Sequence, residues 1–204
     1  MQPVERVVGR AVPLDRSDVD TDQIIPAHWL RRVERTGFGQ GLFEAWRSDP
    51  SFVLNDPARE GATVLVAGPN FGIGSSREHA VWALLDYGFR AVVSARFGDI
   101  FRTNALRSGL VPALVAESLA DALMEATAAD PALEVVVDVV GGEVATRDGR
   151  IRGELLLDPA SRDRLAQGLD DIAETLAAAA DLAAYEATRP MWMPRLLGTD
   201  PAVG

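Results

Sequence analysis

Ser75, Ser76 and Arg77 stand side by side directly after a glycine-rich stretch, GPNFGIG at 68–74. Two hydroxyls and a guanidinium in one turn can hold an anion. Glu78 follows Ser75 by three positions, which also fits an N-cap and its capping-box partner. Capping needs one hydroxyl, whereas this turn offers two and a fixed positive charge. Two readings therefore stand side by side: a capped helix end, or an anion site. At a helix N-terminus free N–H groups and the helix dipole favour negative charge, and Gly74 lets the backbone approach a ligand.

A second group of chemically able residues is DVDTDQIIP at 18–26. Its alternating aspartates match the opening of a calcium-binding EF-hand loop. The match fails, because Gln23 replaces the required glycine and Trp29 falls where a bidentate glutamate belongs. Asp18 and Asp20 then read as a solvated turn. Downstream, HWLRRVERTGFGQ at 28–40 is an arginine-rich loop containing Arg31, Arg32 and Arg35. His28 and His79, the two histidines, lack metal-pair spacing, and no metal ligand is assigned to this chain.

What the composition omits is as informative. Among 204 residues there is no cysteine, so the chain supplies no thiolate to zinc or to an iron–sulfur cluster. All 20 basic residues are arginine; a Walker or Schiff-base lysine is excluded. Thirty acidic residues bring the net charge to −10, which disfavours nucleic acid and acidic membranes as partners. No apolar run is long enough to cross a bilayer and no secretory leader is visible, so cytoplasmic residence is expected.

The elements that position these residues follow from periodicity. The apolar run 62–67 reads as a buried strand leading into the glycine loop, and Ala80, Val81, Ala83, Leu84, Leu85 and Tyr87 recur at helical spacing up to Gly88. Residues 91–95 read as a strand, 99–108 as a helix closed by Gly109, and 110–115 as a strand. This alternation predicts parallel β-α-β units. A helix over 119–129 follows. Strands at 133–140, 144–146 and 151–157, separated by Gly141-Gly142 and Arg147-Asp148-Gly149, predict antiparallel hairpins. Residues 161–187 read as helical, with a break near Gly168.

At GIGSSREHA the chain resembles the serine-arginine segment of the swivel domain in the aconitase superfamily. Within it, the sequence is similar to the small subunits of isopropylmalate isomerases; DVDTDQIIP, RTGFGQGLFEAW at 35–46 and FGDIFRTNALRSGLVP at 97–112 carry the likeness further. The resemblance implies an α/β fold: a swivelling β/β/α domain with a short parallel β-α-β core, added antiparallel strands and C-terminal helices. Residues 1–160 would form that domain and 161–204 a C-terminal helical extension packed on it.

The activity it implies is a hydro-lyase reaction of leucine biosynthesis. Water leaves 2-isopropylmalate and returns to give 3-isopropylmalate. By family match Ser75 is the base, Asp22 an active-site carboxylate, and Arg77, Ser76, Gly74, Arg35 and Arg32 line the site for the substrate carboxylates, with Asn104 a weaker candidate. A [4Fe–4S] cluster would reside on a partner large subunit, and this chain alone would be inactive. Alternatives are a related hydro-lyase of homoaconitase, citraconate or dimethylmalate type, and a non-catalytic anion-binding regulatory domain. A dinucleotide fold is disfavoured, because Arg77 stands where the third glycine of the fingerprint belongs.

Overall fold

A computed structural model describes residues 1–31, 36–75, 77–170, 173, 175–176, 179–190 and 193. The centre of its sheet is built from short apolar runs with no face turned to solvent. Strand β1 (Arg6–Leu14) is followed by β2 (Val64–Ala67), β3 (Ala91–Ser94) and β4 (Val111–Leu114). Every residue of β2 and β3 is buried, the mark of strands covered on both sides. Leu65 and Ala67 face one core with Val12 and Leu14, while Val64 and Val66 face the other with Ala11. That alternation is the two-residue period of a strand expressed in packing.

The strand order is β4-β3-β2-β1-β5-β6-β7, with β5 (Glu134–Asp138), β6 (Glu143–Thr146) and β7 (Arg152–Glu154) completing it. Strand β1 joins two kinds of sheet. Its second half pairs parallel with β2, Ala11 opposite Val64, and its first half pairs antiparallel with β5, Arg6 opposite Asp138. The parallel core and the added antiparallel strands are thus as the sequence predicts, β5 to β7 turning at Gly142 and Gly149.

Helices α1 (Thr21–Ile24) and α2 (Glu44–Arg47) are single turns in the long β1–β2 connection. Helices α3 (Glu78–Tyr87) and α4 (Asp99–Ser108) bury Ala80, Val81, Leu84, Phe101 and Ala105 in one core. Helix α5 (Glu117–Ala129) and α6 (Pro159–Gln167) contribute Leu119, Leu123 and Leu165 to the other.

The chain divides into two compact units, Met1–Leu169 and Asp170–Gly204, and α6 belongs to the first. The reason is local: Leu165 is fully buried, and the Val4 N–H donates to its carbonyl at 2.8 Å, which binds α6 into the first unit. In the second unit α7 (Ala179–Thr188) has no buried residue.

Candidate active site at the carboxyl edge of the sheet

Loops leaving the carboxyl ends of β1, β2 and β3 meet above the sheet, where open α/β folds place ligands. The β2 loop is stitched to both neighbours. On one side the Phe71 N–H donates to the Arg96 carbonyl at 3.1 Å, and Gly98 N–H returns to the Phe71 carbonyl at 2.9 Å. On the other, Gly72 and Ile73 N–H groups donate to the Val19 carbonyl at 2.7 and 3.2 Å. Gly72 has φ +76°, and a Cβ there would run into the Phe101 ring; no other residue fits. Gly98 packs so closely that a Cβ would collide with the Gly72 carbonyl oxygen.

This stitching alters the helix start expected at Ser75. Helix α3 begins at Glu78, with Arg77 as its N-cap in extended conformation and no side-chain cap, so Ser75 and Glu78 do not form a capping box. The loop is fastened at Ile73 by the Asp20–Ile73 bridge, and Gly74 turns it at φ +90°. Ser75 is left exposed, ahead of the first turn of α3, rather than tied into it. The early N–H groups of such a helix have no intrahelical acceptor and favour an anion.

A complete capping box does exist, at Asp20 and Gln23. The Gln23 N–H donates to Asp20 Oδ1 at 2.7 Å and the Asp20 N–H to Gln23 Oε1 at 2.9 Å. The D-x-x-Q spacing is legible in the sequence, masked there by the aspartate alternation. Asp18, likewise more than a solvated turn residue, accepts from Asn70 Nδ2 at 2.7 Å. Helix α1 is thereby fixed, and its first two residues reach across to the β2 loop. The Thr21 hydroxyl donates to the Ser75 carbonyl at 2.9 Å and its N–H to the Ile73 carbonyl at 3.1 Å. Asp22 takes both terminal nitrogens of Arg77, with Nη2 to Oδ2 at 2.9 Å. The Arg77 side chain is 15% exposed and that of Asp22 55%, so the pair opens on its carboxylate side.

Ser75, Gly74, Arg77 and Asp22 are thus brought together. Ser76, Arg32 and Arg35 lie outside the described residues. The segment following 32–35 is fastened to α3: Gly39 N–H donates to Asp86 Oδ2 at 2.9 Å, and Phe38 lies 5.2 Å from the His79 ring. Asn104 is buried in α4 at 6% exposure, with Nδ2 unpartnered among the described residues. Thr21 is the residue that sequence reasoning missed; a lone threonine between aspartates carries no signal of its own.

His79, packed on Phe38 and Trp82, has its pKa pushed below the ordinary histidine value. Burial is the main cause; the Glu78 carboxylate opposes it and the Arg77 guanidinium adds to it. The folded chain therefore disfavours the protonated ring, and stability falls as pH drops below about 6.5, the unfolded value. Thermal melts between pH 7 and 5 should show this loss, and His79→Phe should flatten it. An unchanged slope would assign the loss to other groups.

Among the described residues no group of histidine, cysteine, aspartate and glutamate could hold a metal ion, and the chain has no cysteine. The residues present do not fit an iron–sulfur cluster. A groove of about 950 Å³ lies at the opposite edge of the sheet between Val4 and Trp82, and neither Ser75 nor Arg77 lines it.

Residues 1–118 match the Aconitase C-terminal domain family. The chain is 60% identical over 186 residues to a 3-isopropylmalate dehydratase small subunit of Parafrankia sp. (strain EAN1pec), covering 91% of this chain and 94% of that one. It is 53% identical over 202 residues to the small subunit so named in Clavibacter michiganensis subsp. michiganensis, covering 99% and 98%. A crystal structure of 3-isopropylmalate dehydratase from Methanocaldococcus jannaschii superposes with a TM-score of 0.64 at 27% identity, over 88% of this chain and 99% of that one. No described helix is long and apolar enough to cross a membrane. The chain belongs to the 3-isopropylmalate dehydratase small-subunit family, within the larger family of aconitase C-terminal domains.

Proposed function

We propose that this chain is the small subunit of an isopropylmalate isomerase, a cytoplasmic hydro-lyase of leucine biosynthesis that interconverts 2- and 3-isopropylmalate. The observation that carries the reading is the exposed Ser75 beside Arg77 at the N-terminal end of α3, in a chain 53–60% identical to subunits of that name. The reaction requires a base for a weakly acidic C–H, cations for two carboxylates, and assistance to a departing hydroxide.

Ser75 Oγ, as the alkoxide, takes the proton from C3 of 2-isopropylmalate while the hydroxyl leaves C2, giving an unsaturated diacid. The same oxygen returns the proton at C2 when hydroxide adds at C3. A serine alkoxide is too basic to persist in water; the α3 N-terminus and the Arg77 guanidinium offset its charge. Arg77 also holds a substrate carboxylate, for which its paired donors are suited, and Ser76 and Arg35, with Arg32 in reserve, complete the carboxylate contacts. Asp22 keeps the guanidinium facing the site.

Assistance to the hydroxide comes from the partner large subunit, to which we assign the [4Fe–4S] cluster. Discrimination of the isopropyl group falls to residues 28–37, where apolar contacts are worth roughly 1–3 kcal/mol of selectivity. Trp29 is one such residue, fixed by its indole N–H donating to Glu44 Oε2 at 2.5 Å. Purified alone the chain should convert no isopropylmalate. Mixed with the cluster-bearing large subunit it should do so, and should prefer isopropylmalate over homoaconitate or dimethylmalate. Activity from the chain alone, or preference for another acid, would overturn the reading.

A further inference from the structure

We propose that Thr21 is a positioning residue for Ser75, setting the direction from which the serine oxygen approaches the substrate; this rests on the reading of Ser75 as the base. Thr21 is 2% exposed, yet both of its donors leave its own helix for one short stretch of chain. The hydroxyl donates to the Ser75 carbonyl at 2.9 Å, and the N–H to the Ile73 carbonyl at 3.1 Å. The two bonds bracket Gly74, which sits at φ +90°, a backbone conformation open to glycine. Among the described residues no other side chain bonds to residues 73–75. The Thr21 hydroxyl is therefore the one side-chain group there that fixes the Ser75 backbone, and through it the origin of the Ser75 side chain.

The threonine is itself well fixed. Its residue opens α1, which is capped from both directions by Asp20 and Gln23, and its carbonyl accepts from the buried Ile25. A β-branched side chain has few rotamers, so the hydroxyl has a defined direction. The neighbouring Asp22 performs the matching task for Arg77, and the two consecutive residues hold the base and the carboxylate-binding cation in one register. An alkoxide base needs that register. Its proton transfer depends steeply on approach, and a displacement of about 1 Å can cost about 100-fold in rate. Substrate affinity, governed by the arginines, depends on it much less.

The experiment compares Thr21→Val, which keeps the shape and removes the donor, with Thr21→Ser, which keeps the donor. Each is assayed in the complex reconstituted with the large subunit, beside Ser75→Ala. Thr21→Val should lower kcat by about 10- to 100-fold with KM within about twofold of the parent. Thr21→Ser should recover most of that loss. If Ser75→Ala is inactive while Thr21→Val turns over normally, or if Val and Ser impair equally, the inference is wrong and the Ser75 reading stands. A Thr21→Val chain that fails to fold or to join the complex marks a folding residue and likewise overturns the inference. Turnover retained by Ser75→Ala removes the Ser75 reading and this inference with it.

Discussion

Replacing Ser75 by alanine is expected to abolish turnover in the reconstituted complex while leaving the chain as stable as the parent. General-base catalysis contributes about 10²–10⁴-fold, so a fall in kcat of about 1,000-fold is the expected scale. Stability should barely change. Ser75 is exposed and caps no helix, because α3 begins at Glu78 with Arg77 as N-cap. A shift of about 0.5 kcal/mol or less, roughly 2 °C in Tm for a chain of this size, is all a surface substitution of this kind should cause. Ser75→Asp should be equally inactive, since a carboxylate is a far weaker base and repels the substrate carboxylates. Full turnover in either variant would mean that the proton is removed by another group.

Arg77 should give the second largest effect, and of a different kind. Its guanidinium is held by both carboxylate oxygens of Asp22 and is 15% exposed, so it is fixed rather than free. Lysine keeps the charge but loses the planar fork that engages Asp22 and a substrate carboxylate together. A hydrogen bond to a charged group is worth about 1.5–3 kcal/mol. Arg77→Lys is therefore expected to lower kcat/KM by about 10- to 100-fold, chiefly through KM. Arg77→Ala should lower kcat as well, because the cation that offsets the Ser75 alkoxide is gone. Steady-state kinetics of the two variants side by side separates these contributions. A KM unchanged in both would show that Arg77 does not touch the substrate.

Much of this arrangement is legible in the order of amino acids alone. The runs that form β2, β3 and β4 are short, apolar and set between helical periods, and nothing competes with the parallel reading. Glycines at 88 and 109 mark where α3 and α4 end. The start of α3 is not legible in this way. Ser75 and Glu78 have perfect capping spacing, but Gly72, Ile73 and Ser75 are tied by hydrogen bonds to Val19, Asp20 and Thr21, more than fifty residues earlier in the chain. Local propensity loses to tertiary hydrogen bonding there. The same long-range bonds hide the part played by Thr21, since its partner is a backbone carbonyl that could belong to any residue. Strand β1 is a further case: nothing in Arg6–Leu14 says that one half pairs parallel and the other antiparallel. The boundary after Leu169 depends on Leu165 reaching a core laid down by strands far earlier in the sequence.

On the proposed reading the site is half of an active site, with base and cations on this chain and the hydroxide-activating group on its partner. Competition between two versions of the chain tests that division most directly. A fixed amount of large subunit is mixed with the parent chain, and the Ser75→Ala chain is added in increasing excess while isopropylmalate interconversion is followed. The inactive chain should occupy the same partner surface, and turnover should fall in proportion to its share of the total small subunit. Turnover that stays constant as the Ser75→Ala chain becomes the majority, or that persists when the large subunit is left out, would contradict the account.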